Sequence, residues 1–199
     1  MVRTLLDEAI CPACSARGME YSAEPIELPF MGTSLETMIR CDKCGYRHTD
    51  FVLTSTHAPM RYLHRVATAE DMSVRVVRSG SGTIRIPELG IAIEPGIASE
   101  AFVSNIEGIL VRVERVLGQM LRDAEDEDGR LRVVELQQTL QRMRDGQAEP
   151  VTLILEDPFG NSRILGEGTR EEAIPPHEAE HLRTGMQLFD PQGNLVKPN

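Results

Sequence analysis

No apolar run in this 199-residue chain approaches the roughly 18 residues of a membrane span, and Asp7 and Glu8 fall where a secretory signal would need an apolar core. These two absences lead us to expect a soluble, cytoplasmic protein with no membrane partner. Lysine is nearly missing: of 21 bases only Lys43 and Lys197 are lysine, and 31 acids leave a formal charge of −10. Affinity for a phosphate backbone comes mainly from cations that displace counterions, so this balance argues against nucleic acid as the partner. Signatures of catalysis are missing as well. There is no G-x-x-x-x-G-K-[ST] phosphate loop, no G-x-S-x-G elbow and no dinucleotide glycine fingerprint, and Gly80-Ser81-Gly82 is too short to cradle a phosphate. Cysteine is scarce too, with four residues in two close pairs. In a chain expected to stay in a reducing compartment, such pairs read as thiolates on a metal and not as disulfides.

The pairs are Cys11-Pro12-Ala13-Cys14 and Cys41-Asp42-Lys43-Cys44, a C-x2-C repeated after 26 residues. A two-residue gap lets both sulfurs of a tight turn point to one side, and two such turns at hairpin tips supply four ligands to one tetrahedral zinc. Gly45 follows the second pair, where a left-handed backbone closes the turn; Ser15 stands in the same place after the first. Ile26, Leu28 and Met38 before the second turn, with Phe51 and Leu53 after it, mark the strands of a zinc ribbon. Four thiolates close the coordination sphere, so the expected ion is a structural staple. A redox C-x-x-C would need one pair between a strand and a helix. His48, His57 and His64 are ordinary histidines once four cysteines are present.

Beyond the ribbon, Val74, Val76, Ile84, Ile86, Leu89, Ile91 and Ile93 alternate with polar residues between Met60 and Pro95, the pattern of half-buried strands. The period then changes. Ser104-Asn105-Ile106-Glu107 has the form of a capping box, and Ile106, Ile109, Leu110, Val113, Leu117, Met120 and Leu121 recur at helical spacing, which predicts a long helix from Ser104. Val133, Leu136, Leu140 and Met143 predict a second helix, stopped at Gly146. The acidic run Asp123 to Asp128 is expected at the tip of this helical hairpin, where it opposes the first helix's dipole. Val151 to Leu155 returns to strand, Asp157-Pro158-Phe159-Gly160-Asn161 turns, and Ser162 to Leu165 is expected as the partner strand. The organisation read from this is a zinc ribbon over 1–55, a β domain over 56–168 with a helical hairpin at about 104–146, and a polar extension over 169–199.

Two further groups carry rival chemistry. His177-Glu178-Ala179-Glu180-His181 matches H-E-x-x-H, which on a helix sets two histidines around zinc with a glutamate as base. Thr184 and Gln187 replace the glycine and third ligand of a metzincin, although Asp190 could reach a metal by another route, so a zinc hydrolase is a third functional class to weigh. Arg40, Lys43 and Arg47 beside the second cysteine pair could touch phosphate, which keeps a nucleic-acid-binding ribbon as a second class. The neighbouring carboxylates Glu156 and Asp157 are assigned to turn chemistry.

The twin C-x2-C, Val76-Val77-Arg78-Ser79, Thr83-Ile84-Arg85-Ile86-Pro87-Glu88-Leu89, Ile106-Glu107-Gly108-Ile109-Leu110 and Leu153-Ile154-Leu155-Glu156-Asp157-Pro158-Phe159-Gly160-Asn161-Ser162 together resemble the ZPR-type zinc-finger family, in its archaeal single-module branch, over residues 8 to 166. The resemblance implies an α+β chain that is mainly β: an N-terminal four-cysteine zinc ribbon, then a double-stranded β-helix, or jelly-roll-like, domain with the hairpin inserted. In eukaryotes the family carries two such modules and binds and chaperones translation elongation factor 1 alpha. The function expected from residues and resemblance together is a non-catalytic, zinc-binding interaction protein for that factor. Its one structural Zn2+ would sit on Cys11, Cys14, Cys41 and Cys44. The metal oxygenases that share the β-helix fold use an H-x-[DE] ligand pattern that these strands lack.

Overall fold

The computed structural model describes residues 2–28, 32–51, 54, 56–96, 99–123 and 126–185, and the backbone of 52–53, 187–189 and 195–198. The chain divides into two compact units, Met1–His57 and Ala58–Asn199. The first is a four-stranded antiparallel meander of β1 (Val2–Ile10), β2 (Arg17–Leu28), β3 (Gly32–Arg40) and β4 (Arg47–Leu53), paired in chain order. In a meander alternate turns fall at the same end, so the two cysteine turns, between β1 and β2 and between β3 and β4, come together. The buried apolar residues described in this unit are few: Cys11, Met19 and Cys41 cluster together, with Ala9, Ile39 and Tyr46 partly buried against them, and Ala23 is buried apart from that cluster.

The second unit is built from β5 (Met60–Val66), β6 (Arg75–Arg78), β7 (Thr83–Ile86), β8 (Ile91–Ile93) and β9 (Phe102–Asn105), then the helices α1 (Ile106–Asp123) and α2 (Glu127–Arg144), then β10 (Val151–Asp157), β11 (Arg163–Leu165) and β12 (Arg170–Ala173). Two antiparallel sheets form, one in the order β12-β5-β10-β7-β8 and one in the order β11-β6-β9. Their inward residues and one face of each helix share a single cluster that includes Tyr62, Val76, Ile84, Leu110, Leu140, Leu153 and Ile164. The mainly β, jelly-roll-like architecture with an inserted helical hairpin is therefore present. A short α3 (Pro176–Ala179) and a paired β13 (Gln187–Phe189) and β14 (Leu195–Pro198) complete the chain. The stretch assigned to a polar extension thus supplies β12, which pairs along β5 from Arg170–Leu63 to Ala173–Met60, and Ile174, which is buried.

Four local expectations are corrected. Ser162 to Leu165 does not return beside the 151–155 strand: β10 lies between β5 and β7, and β11 pairs with β6 in the other sheet. The turn after Asp157 carries the chain across the core, because both long edges of β10 are already occupied. The first helix begins one residue later in its cap: Ser104 pairs with Val76 in β9, and Asn105 Oδ1 accepts from Gly108 N at 2.8 Å, as an N-cap does. Leu89 sits in a single tight turn, Pro87–Leu89, that ends at Gly90 with a positive φ of 65°, and is not part of a strand. The acidic run does not all oppose a dipole. Glu127 and Asp128 occupy the first turn of α2, where carboxylates are favourable, and Asp126 caps that turn by accepting from Gly129 N at 2.6 Å. Ala124 and Glu125 of the run lie outside the described residues. At the other end Gly146, with φ +66°, terminates α2 as expected.

Candidate metal centre

Each cysteine pair sits on a knuckle of identical backbone design. Cys11 N donates to Ala16 O at 2.9 Å and Ser15 N to Cys11 O at 2.9 Å; in the second knuckle, Cys41 N donates to Tyr46 O at 2.8 Å and Gly45 N to Cys41 O at 2.9 Å. These bonds fold the chain tightly enough that both sulfurs of a pair face the same side. The fifth position takes a left-handed backbone in both, with φ +77° at Gly45 and +58° at Ser15. Ser15 is the sole described residue other than glycine with a positive φ. Gly45 suits the position because it has no Cβ to clash.

The four sulfurs all lie within 4.8 Å of one another. Across the knuckles, Cys11 Sγ is 3.6 Å from Cys44 Sγ and Cys14 Sγ is 3.8 Å from Cys41 Sγ. A disulfide needs about 2.05 Å, so neither contact is one. Four sulfurs bonded to a tetrahedral zinc at about 2.3 Å would be spaced by about 3.8 Å, so the cluster fits that ion. Cys11 and Cys41 are buried, while Cys14 and Cys44 are exposed. Among the described residues no other set of three or more His, Cys, Asp or Glu side chains converges in this way.

The thiols are electrically unequal. Burial pushes Cys11 up, but the N–H groups of Cys14 and Ala13 and the neighbouring sulfurs outweigh it and bring the thiol down to about 7. For Cys44 the Tyr46 N–H favours the thiolate, yet the contacts with Cys14, Cys11 and Cys41, together with partial desolvation of its sulfur, push it up to about 12. Four sulfurs this close cannot all carry charge without a cation to hold them, and a divalent metal supplies that charge.

The rival groups fare differently. His177 and His181 are exposed, on the short α3 and just past its end, and Glu178 is engaged elsewhere: its Oε2 accepts from Arg61 at 2.9 Å. Arg61 also donates to Glu156 Oε1 at 2.7 Å, and Arg85 donates to Glu156 Oε2 at 3.1 Å. The Glu178 hydrogen bond, with help from Glu156, outweighs burial and raises Arg61 above its ordinary value. The glutamate of the H-E-x-x-H motif is thus tied into an ion-pair network over the β5–β10 sheet. Asp190 lies outside the described residues. Near the cysteines, Arg40 is bound to Glu20 at 2.7 Å and Asp42 at 2.9 Å, which neutralises part of the basic trio.

One polar centre went unread in the sequence. Asp157, fully buried, accepts from Ser79 Oγ at 2.7 Å, Ser81 Oγ at 2.8 Å and Ser162 Oγ at 2.6 Å, and from Phe159 N at 2.9 Å and Asn161 N at 3.1 Å. The Phe159 bond is the turn chemistry expected of it. The three serine bonds add a tie between the loop after β6 and the start of β11. The signal for them was the small hydroxyl residues clustered in Ser79-Gly80-Ser81-Gly82 and Asn161-Ser162.

Comparison with known proteins adds to this geometry. A family model described as the ZPR1 jelly-roll domain matches residues 70–185. An uncharacterized ZPR1-like protein of Methanocaldococcus jannaschii is 39% identical over 181 residues, 90% of this chain and 91% of the relative. A second, from Pyrococcus horikoshii, is 38% identical over 183 residues, 89% of this chain and 81% of the relative. The zinc finger chaperone zpr1 of Schizosaccharomyces pombe is 31% identical over 163 residues, 78% of this chain but 35% of the relative, so this chain corresponds to about a third of that protein.

Proposed function

From the premise that this chain belongs to the ZPR1-like family, we propose that it is a non-catalytic interaction protein, held in shape by one structural zinc on Cys11, Cys14, Cys41 and Cys44, that binds or chaperones translation elongation factor 1 alpha in the cytoplasm. The observation that carries the reading is the convergence of four sulfurs within 4.8 Å, since four thiolates leave no position for water or substrate on the ion. The fission-yeast relative is named a zinc finger chaperone, which supports a protein partner.

A chaperone of this kind needs apolar side chains held in water by a rigid frame. The ribbon carries Val2, Leu5 and Ile10 exposed at 62%, 61% and 59% on its edge strand, and α2 carries Leu131 exposed at 55%. A folding client that still exposes apolar surface buries those residues on contact, and the gain is about 25 cal/mol for each Å2 covered. The zinc supplies stiffness to the ribbon and takes no part in chemistry.

Two measurements test this. Affinity capture of the zinc-loaded protein from its own source is expected to recover elongation factor 1 alpha, and a capture in which that factor is missing would overturn the partner assignment. Metal analysis is expected to return one zinc per chain. Two zinc ions, or a substrate consumed by the purified protein, would overturn the non-catalytic reading.

A further inference from the structure

We propose that the cleft between α1 and the β8–β9 region is a binding site for a small amphiphilic carboxylate, with the Arg112 guanidinium as its anion contact. The cleft has a volume of about 720 Å3, within the range of small-molecule sites. Ile91 and Ile93 of β8 and Val113, Val116, Leu117 and Met120 of α1 give it apolar walls. Val116 and Met120, four residues apart and so on one helical face, stand 54% and 52% exposed, although α1 buries Ile109, Leu110, Val113 and Leu117 in the core. An apolar wall left open to water is the feature that a ligand's hydrocarbon body would cover.

The charge at the cleft selects the ligand's other end. Two guanidiniums lie over the Phe102 ring, Arg112 at 4.3 Å and Arg78 at 5.6 Å from its centroid. Arg78 is buried and each of its three nitrogens donates to the protein, to Gly82 O at 2.7 Å, Ser99 Oγ at 3.0 Å and Glu100 O at 3.4 Å. Burial lowers it from its ordinary value; Asp157 acts in the opposite sense and Arg112 adds to the lowering. Arg112 differs: among the described residues its guanidinium meets the Phe102 ring and has no carboxylate partner. Of the two carboxylates lining the cleft, Glu94 is matched to Arg183 at 3.2 Å and Arg85 at 3.8 Å, which leaves Glu100 against two guanidiniums. The result is a cationic, apolar cleft in a chain of net charge −10, held on an aromatic platform that fixes the fork of Arg112 for a carboxylate. A ligand with one carboxylate and an apolar body satisfies both halves.

The test uses the zinc-loaded full chain and two probes of equal length, octanoate and 1-octanol, followed through the methyl NMR signals of Met120 and Val116. Octanoate is expected to bind saturably and about tenfold tighter than 1-octanol. Arg112→Gln is expected to remove that tenfold preference and leave 1-octanol binding unchanged, and Val116→Glu, at an exposed position, to weaken both probes. Equal affinity for the two probes, unchanged octanoate binding in Arg112→Gln, or no shift at Met120 and Val116 would overturn the proposal. So would an acidic amphipathic peptide that occupies the cleft where octanoate fails to, because the site would then belong to protein segments. This inference is independent of the partner proposed above, and neither result decides the other.

Discussion

The two units solve the same problem with opposite means. Ala58–Asn199 buries an apolar cluster drawn from two sheets and two helices, in which side chains such as Ile84, Ile106, Leu110 and Leu153 are wholly shut off from water. Met1–His57 has a core cluster of only Cys11, Met19 and Cys41 among its described residues, and its first strand is exposed along nearly its whole length. Domains near this size are marginal on apolar burial, and where the buried cluster is as small as this one a metal commonly makes up the difference. The contrast teaches that the ion is a folding element for one unit only.

Cys41→Ser is the strongest way to break that contrast. Structural zinc in small domains is bound with about 10 to 16 kcal/mol, and in such domains binding free energy is folding free energy. The substitution, or removal of zinc by a chelator, is expected to abolish hydrogen-exchange protection in β1 to β4 while β5 and β10 stay protected. Ribbon amides that remain protected without metal would show that the sheet holds itself.

Asp157→Ala attacks the other unit. It removes a buried acceptor from three hydroxyls and two N–H groups, an effect expected to cost about 3 to 5 kcal/mol, read as a fall in the denaturant midpoint of the second unit. Zinc content is expected to stay at its wild-type value. This residue also marks where sequence reading ran short. The cysteine spacing alone pointed to the four sulfurs that converge, because the geometry is simple: two knuckles and a meander bring them together. The helix periods were equally legible, since Ile106, Leu110, Val113 and Leu117 face one core. What the sequence could not carry was long-range partnership. Ser79 and Ser162 are 83 residues apart and meet through Asp157, and β11 joins β6 and not β10, a choice set by which sheet edges are free. The cap at Asn105 was misread by one residue for a related reason: Ser104 has the right chemistry but is held extended by its pairing with Val76.

Acid is expected to separate the units in a graded way. Zinc takes thiolates, so its entry must expel the proton that Cys44, pushed up to about 12, keeps throughout the neutral range, whereas Cys11, at about 7, competes only as the pH falls toward and below that value. Before metal enters, the raised Cys44 contributes stability below its ordinary value near 9 and loses it as pH rises toward 12, while the lowered Cys11 contributes above 9 and loses it as pH falls through 7. With metal the Cys44 sign reverses, because the bound form is deprotonated. Zinc affinity is therefore expected to fall at least about tenfold per unit of pH between about 8 and 6, with proton release on loading seen in weakly buffered solution. A pH-independent affinity would mean that the sulfurs are already ionised in the metal-free protein.

The finest comparison lies inside the ribbon, between its two knuckles. They share their hydrogen bonds and their left-handed fifth residue, yet one has Gly45 there and the other Ser15. A Cβ at φ +58° costs about 1 kcal/mol, and glycine returns part of that gain through its freer unfolded chain. Ser15→Gly is therefore expected to stabilise the zinc-loaded ribbon by about 0.5 kcal/mol, and Gly45→Ser to weaken it by a similar amount. The double exchange should come out near neutral, because the knuckles are built alike and the two opposite changes offset one another where they add. If Ser15→Gly instead destabilises, the hydroxyl contributes something that Gly45 does without, and the two halves of the metal site are not equivalent.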